Sequence, residues 1–270
     1  MGELEEAKAK AAAAYNAAAD HFDHPVSSFW HRFGRRTVER LSLRPGEAVL
    51  DVCCGSGGSA LPAAEAVGPQ GKVVAVDLAE RLLALGEAKA REKRLTNIEF
   101  KTGDMLALGF SDASFDVVIC VFGIFFVPDM VAATKELWRM IRPGGRLAIT
   151  TWGPDLFEPA NAAFWDAVGA DRPDLVGRFN PWERISTPTG LGEMLNEAGV
   201  ANPDIFTEAG NHPLACPDDW WLVAMGSGYR GTLSQIDDTE TLARVRGRNL
   251  ANIHDCTAIT TNVIYSIAVK

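Results

Sequence analysis

Positive charge is in short supply. The chain sets 26 Lys and Arg against 35 Asp and Glu, a net charge of −9 over 270 residues. That balance argues against a broad phosphate-binding surface, so nucleic acid is not an expected partner. Cysteine is scarce too, and five in 270 residues do not make a disulfide scaffold. Reduced thiols are expected, with Cys120, Cys216 and Cys256 as small core residues. Long apolar runs are missing: the longest, Val117 to Val127, is too short to span a bilayer. The opening MGELEE lacks both the basic start of a secretory signal and the hydroxyl residue of a myristoylation signal. These absences predict a cytoplasmic protein with no membrane partner. Repeats, low-complexity tracts and linkers are also missing, which predicts a single domain. What remains is ordinary for a soluble globular chain able to bury its own core, with 47% hydrophobic and 23% charged residues.

The pattern that is present alternates between two periods. Residues 7–19 are Ala-rich and read as a helix, and a second helix runs from about Ser27 to Leu41. After Arg44-Pro45-Gly46 come short apolar runs at 48–52, 72–77, 98–101, 115–122 and 146–151. Between them lie helical stretches at 59–67, from Leu78 onward, and from Met130 to Ile141, the last stopped by Arg142-Pro143-Gly144-Gly145. Continuous apolar strands alternating with amphipathic helices predict a parallel sheet covered on both faces. The second half is looser. Helices are expected near 157–169, after Thr187-Pro188 up to Gly199, at 217–225 and at 238–253. Pro-rich turns lie before Trp182, with a weak strand at 204–208 and a final strand from Val263 to Val269.

Residues 49–60 read VLDVCCGSGGSA. Gly55, Gly57 and Ala60 fit the dinucleotide fingerprint G-x-G-x-x-A, and Asp77 follows at the spacing of a ribose-binding acid. Alone such a match is weak, because any tight strand-to-helix turn uses glycines. Here the turn follows the first strand of an alternating unit and opens a helix. Charge then discriminates between ligands. Asp51 ends the first strand, where a carboxylate opposes a pyrophosphate but suits a ligand with a cationic end. S-adenosylmethionine is such a ligand. A structural role for Asp51, accepting backbone N–H bonds, is compatible with this.

Asp51-Val-Cys-Cys-Gly55-Ser-Gly57 resembles the D-x-G-x-G-x-G motif of class I S-adenosylmethionine-dependent methyltransferases. VVAVD ending at Asp77, TGDM at 102–105, FDVVICVFGIFFVPD at 115–129 and LWRMIRPGG at 137–145 resemble that family's later motifs, in order. In detail the chain resembles the ubiquinone/menaquinone-biosynthesis C-methyltransferases and their small-molecule relatives. The resemblance implies an α/β fold with a Rossmann-like, seven-stranded, mostly parallel sheet and helices on both faces. It also implies an N-terminal helical cap (1–45), a cofactor core (46–152) and an acceptor-side half (153–270) with a helical lid near 217–255. By the same resemblance Asp77 holds the ribose, Leu78 packs beside the adenosine, Asp104 bonds the adenine amino group and Met105 covers the ring. Gly55 lets the backbone approach the methionine carboxylate, and Val121 and Phe122 line the methyl end. Cys53 departs from the pattern, standing where the family has a glycine. The Cys53–Cys54 pair has no metal-binding spacing, so no metal is expected.

Ligands of open α/β sheets sit beyond the carboxyl ends of the strands. The loops predicted there are Phe122–Pro128, Trp152–Phe157 and Gly210–Pro217. The last carries His212, the candidate base for drawing a proton from the acceptor. The cap would bring Tyr15, Phe22, His24, Trp30 and His31 into range, with Tyr15 a cofactor contact. Trp220 and Trp221 cannot share one helix face, which puts one near the pocket or an interface. A small-molecule acceptor is expected, since no Asn/Asp-Pro-Pro-aromatic run of base methylases follows the fourth strand. Carbon, oxygen and nitrogen acceptors stay open, as does a homodimer. A nicotinamide-dependent oxidoreductase and a non-catalytic S-adenosylmethionine-binding protein are the alternatives.

Overall fold

A computed structural model describes residues 3–177 and 182–270. Two helices come first, α1 (Glu3–Phe22) and α2 (Phe29–Leu41). The alternating unit follows: β1 (Ala48–Val52), α3 (Ala60–Val67), β2 (Lys72–Asp77), α4 (Glu80–Glu92), β3 (Ile98–Thr102), β4 (Phe115–Val121), α5 (Met130–Met140) and β5 (Ile141–Trp152). The second half contributes α6 (Ala160–Asp171), α7 (Pro188–Glu197), β6 (Asp204–Glu208), β7 (Asn211–Pro213) and α8 (Pro217–Met225). It ends with α9 (Tyr229–Leu233), α10 (Thr239–Asn252), β8 (Ala258–Thr260) and β9 (Val263–Val269). The turns expected across residues 178–181 lie outside the described residues.

Seven strands form one sheet in the order β3-β2-β1-β4-β5-β9-β6. All pairs from β3 to β5 are parallel, and only β9 is antiparallel to its neighbours. Strand side chains alternate between faces, so successive apolar residues feed two cores. Leu50, Val74, Val118 and Leu147 pack on the α5 side, while Val49, Val73, Val117 and Ala148 pack under α2 and α3. Each buried Leu, Ile or Val contributes about 1.5–3 kcal/mol, which is why runs apolar on both faces commit to the centre of the sheet. The chain winds from β1 through β2 and β3 to one edge, then crosses back to β4. The crevice of such a sheet opens at that reversal, between the ends of β1 and β4.

Three local expectations change. β5 starts at Ile141, not after the glycines, and its register against β4 shifts between Phe115 and Val117. The Arg142–Gly145 stretch is therefore an irregular lead-in to the strand, with Gly144 at φ +78° and its N–H bonded to the Lys270 carbonyl at 2.7 Å. Residues 211–213 are not a loop: they pair with β8 in a separate two-stranded ribbon. Of the three cysteines assigned to the core, Cys120 is buried, Cys256 is half-buried and Cys216 is exposed. Cys216 sits at the entry to α8, immediately before Pro217, where the first turn faces outward.

Candidate functional site

The turn after β1 is built from strained and close-packed backbone. Cys53, Gly55 and Gly57 all have positive φ, at 59°, 53° and 89°. A side chain at Gly57 would also meet Leu61 at 3.0 Å, so both backbone and packing demand glycine there. Cys53 holds the left-handed conformation with a side chain. Its Cβ and Sγ fill the space beside Gly123, where an added Cβ would come within 2.4 Å of Cys53. The missing glycine of the turn is thus accommodated by a glycine in the strand–loop opposite.

Two carboxylates flank this turn. Asp77, at the end of β2, accepts from the Gly55 N–H at 2.8 Å and the Ala79 N–H at 2.9 Å. Burial raises its carboxyl above the ordinary range, against those backbone donors. Asp51 lies fully buried behind the turn and accepts from the Ser59 hydroxyl at 2.7 Å. Its other oxygen has no partner among the described residues. Burial pushes it up to about 7, only partly offset by Ser59, with Asp77 adding to the rise.

A cavity opens in front of the turn. The predicted Tyr15, Gly55, Asp77, Leu78, Asp104, Met105, Val121 and Phe122 all line it. Asp51 and Gly57 do not: they shape the turn from behind, and Ser59 connects Asp51 to the cavity wall. Phe22, Trp30 and Phe126 add aromatic rings to the wall, and Trp152 backs Phe122 from behind it. Phe22 stacks on Trp30 at 5.4 Å, Phe122 stacks on Trp152 at 3.9 Å, and Trp30 meets Phe122 edge-on at 5.8 Å. Phe122 itself sits at φ +54°, a strained conformation of the kind that clusters at functional sites. Phe126 and Val127 complete the wall from the loop after β4.

The structure takes His212 away from this cavity. The ribbon carries it under Phe29, ring centroids 5.1 Å apart. Its Nε2 donates to the Val26 carbonyl at 2.6 Å, and its Nδ1 is buried without a partner. Burial lowers its proton affinity. Its ring packs on Phe29, which in turn meets Trp30 with centroids 4.8 Å apart. The other candidates divide similarly. Phe22 and Trp30 line the cavity, whereas the His24 ring accepts from the Val26 N–H and His31 pairs with Asp23 at 2.9 Å. Trp220 and Trp221 are both buried away from the cavity, Trp220 against Phe157 and Tyr229. Residues 217–255 contribute nothing to the wall. Of these, α8 and α9 pack on α1, with Gly226 against the His21 backbone and Gly231 against Ala14, and α1 lies between them and the cavity.

Two features escaped the sequence. Gly34 of α2 lies against Gly58, where a Cβ would meet the Gly58 carbonyl carbon at 2.4 Å; helix and turn touch backbone to backbone. A polar clamp then fastens the cap to the turn. Asp23 accepts from the Ser56 hydroxyl at 2.6 Å, from the Lys89 ammonium at 2.7 Å and from His31. Burial opposes the Asp23 charge, but these bonds outweigh it and hold the carboxyl at about 2. The glycine in GRRT was a visible signal, since glycine in a helix interior costs about 1 kcal/mol and needs a reason.

A sheet reversing between β1 and β4, a glycine turn at the reversal and an acid ending β2 define the class I methyltransferase fold. The solved S-adenosylmethionine-dependent methyltransferase from Aquifex aeolicus has this fold, with a TM-score of 0.53, 21% identity, and coverage of 72% of this chain and 89% of that one. The ubiE/COQ5 methyltransferase family matches residues 4–165, and the chain belongs to that family. Demethylmenaquinone methyltransferase from Listeria monocytogenes is 35% identical over 205 residues, 71% of this chain and 86% of the relative. The Lactococcus lactis enzyme of the same name is 40% identical over 122 residues, 45% of this chain. That match spans about half of the Lactococcus protein, at 48% of its length.

Proposed function

We propose that this chain transfers a methyl group from S-adenosylmethionine to a small-molecule acceptor. The observation that carries this reading is the pair of carboxylates around the glycine turn, Asp51 buried with an unpartnered oxygen and Asp77 half-buried in the cavity wall. Two negative groups with raised proton affinity are relieved by a cation and made worse by a pyrophosphate. The ammonium and sulfonium of S-adenosylmethionine fit that need; a nicotinamide dinucleotide does not.

When bound, S-adenosylmethionine supplies a methyl group already activated by a positive sulfur. Asp77 keeps a free lone pair on each oxygen to accept from ribose hydroxyls. Asp104 accepts from the adenine amino group, while Leu78 and Met105 cover the ring. Gly55, without a side chain, admits the methionine end. Tyr15, Phe22, Trp30 and Phe122 exclude water and present ring faces to a cation. Among the described residues no histidine lines the cavity. Alignment is therefore the protein's main contribution, and such positioning supplies about 7–11 kcal/mol. The aromatic wall suits a flat, apolar acceptor, in keeping with the demethylmenaquinone in the relatives' names. The acidic charge balance supports a small molecule over nucleic acid and goes with a cytoplasmic setting.

Incubation with methyl-labelled S-adenosylmethionine and a small-molecule extract tests the reading. Label is expected in an apolar small molecule. Tight cofactor binding with no labelled product across many acceptors would favour a non-catalytic binding protein instead.

A further inference from the structure

Helix α1 presents one stripe to the cavity. Lys8, Ala11, Ala12 and Tyr15 line it at spacings of three, four and seven residues, a single helical face. The two alanines let the helix backbone lie close over the cavity, and Lys8 sits at the end where Asp104 and Met105 are. Among the described residues, Lys8 is the only cation in the wall.

We propose that Lys8 and Asp104 together read the amino-bearing edge of the adenine, Asp104 accepting from the exocyclic amine and Lys8 donating to the neighbouring ring nitrogen. This rests on the S-adenosylmethionine reading above. The Lys8 ammonium lies 2.6 Å from Asp104 Oδ2 and 2.8 Å from Glu5 Oε1. Both Lys8 and Asp104 are mostly buried, their side chains 17% and 22% exposed. An ammonium has three protons, so one is left for a ligand. Asp104 Oδ1 accepts from the Leu106 N–H at 2.9 Å, which leaves Oδ2 with a second lone pair. Its backbone is fixed to β2 through the Gly103 N–H, 3.0 Å from the Asp77 carbonyl. A donor and an acceptor thus stand side by side in a fixed order. Adenine offers the complementary order, acceptor at the ring nitrogen and donor at the amine. Hypoxanthine reverses both and leaves two buried polar groups opposed. Hydrogen bonds to Asp104 and then Glu5 raise the Lys8 proton affinity, so the donor stays charged.

Calorimetric titration of the full chain with S-adenosylhomocysteine and with S-inosylhomocysteine separates this role from a mere latch on the helix. The native protein should favour the adenine ligand strongly. Lys8→Met should weaken S-adenosylhomocysteine about tenfold, the worth of one charge-assisted bond, and leave S-inosylhomocysteine nearly unchanged. Lys8→Arg, which keeps a donor, should recover most of the loss. Melting of each ligand-free variant checks that the fold is intact. An equal loss for both ligands, or no loss for either, overturns the edge-reading role while leaving the cofactor reading intact. Failure of the native protein to bind S-adenosylhomocysteine at all would instead remove the cofactor reading.

Discussion

Between β1 and β5, functional groups are placed by neighbours in the same alternating unit. Asp77 is fixed by the N–H groups of Ala79 and Gly55, and Asp51 by Ser59 at the head of the next helix. Beyond β5, placement comes from far along the chain. His212 is set by Val26, 186 residues away, and Arg32 of α2 reaches Thr261, 229 residues away. A strand end followed by a glycine turn carries its geometry with it. A histidine after a weak strand does not, because a ribbon formed elsewhere decides which way it faces.

The sharpest way to break that contrast is to remove one group from each region. Asp77→Ala should cost about 100-fold in S-adenosylhomocysteine affinity, since a charged acceptor of two or more hydrogen bonds is lost, with circular dichroism unchanged. Equal affinity in the variant would show that the acid of the alternating unit is not in the site. His212→Ala should do the reverse, lowering unfolding free energy by about 1–3 kcal/mol in denaturant titration with ligand affinity unaltered. A loss of turnover without a loss of stability would return His212 to the chemistry.

The residues explain where sequence reading succeeded. Positive φ at Gly55 and Gly57, the acid at the strand end and the apolar runs of β1, β2 and β4 are local demands, and local demands are written in adjacent letters. The Cys53 departure was legible as well, but its remedy was not, because Gly123 meets it only after β1 and β4 align. The clamp of Asp23, Ser56, Lys89 and His31 joins four segments, and nothing adjacent to any one of those residues in the sequence announces its partners. The described cavity wall draws on α1 and on no residue of 217–255. Small residues at Gly226, Gly228 and Gly231 let α8 and α9 seat α1, which lies between them and the cavity.

A smaller effect sharpens the role of Asp51. A cationic ligand binds the ionised carboxylate better, and burial holds this carboxyl at about 7. S-adenosylmethionine affinity should therefore rise with pH by up to about tenfold per unit below 7 and level off above it, with Asp51→Asn flattening the profile. The sign for the ligand-free protein is opposite. A folded-state pKa raised above the unfolded value makes this group's contribution to stability greatest below about pH 4, and it is lost as pH rises through 7. Smallest of all, Cys53→Gly should shift stability by no more than about 1 kcal/mol, because relief of the left-handed conformation is offset by glycine's greater freedom when unfolded. A larger loss in thermal melting would mean that the thiol against Gly123 holds the turn more than its backbone does.

Side-by-side calorimetry of the native protein with S-adenosylhomocysteine and with NADH bears most directly on the claim that the two carboxylates at the glycine turn choose the ligand. Saturable binding of S-adenosylhomocysteine, with no heat from NADH, is the expected result. Saturable NADH binding without S-adenosylhomocysteine binding would contradict it.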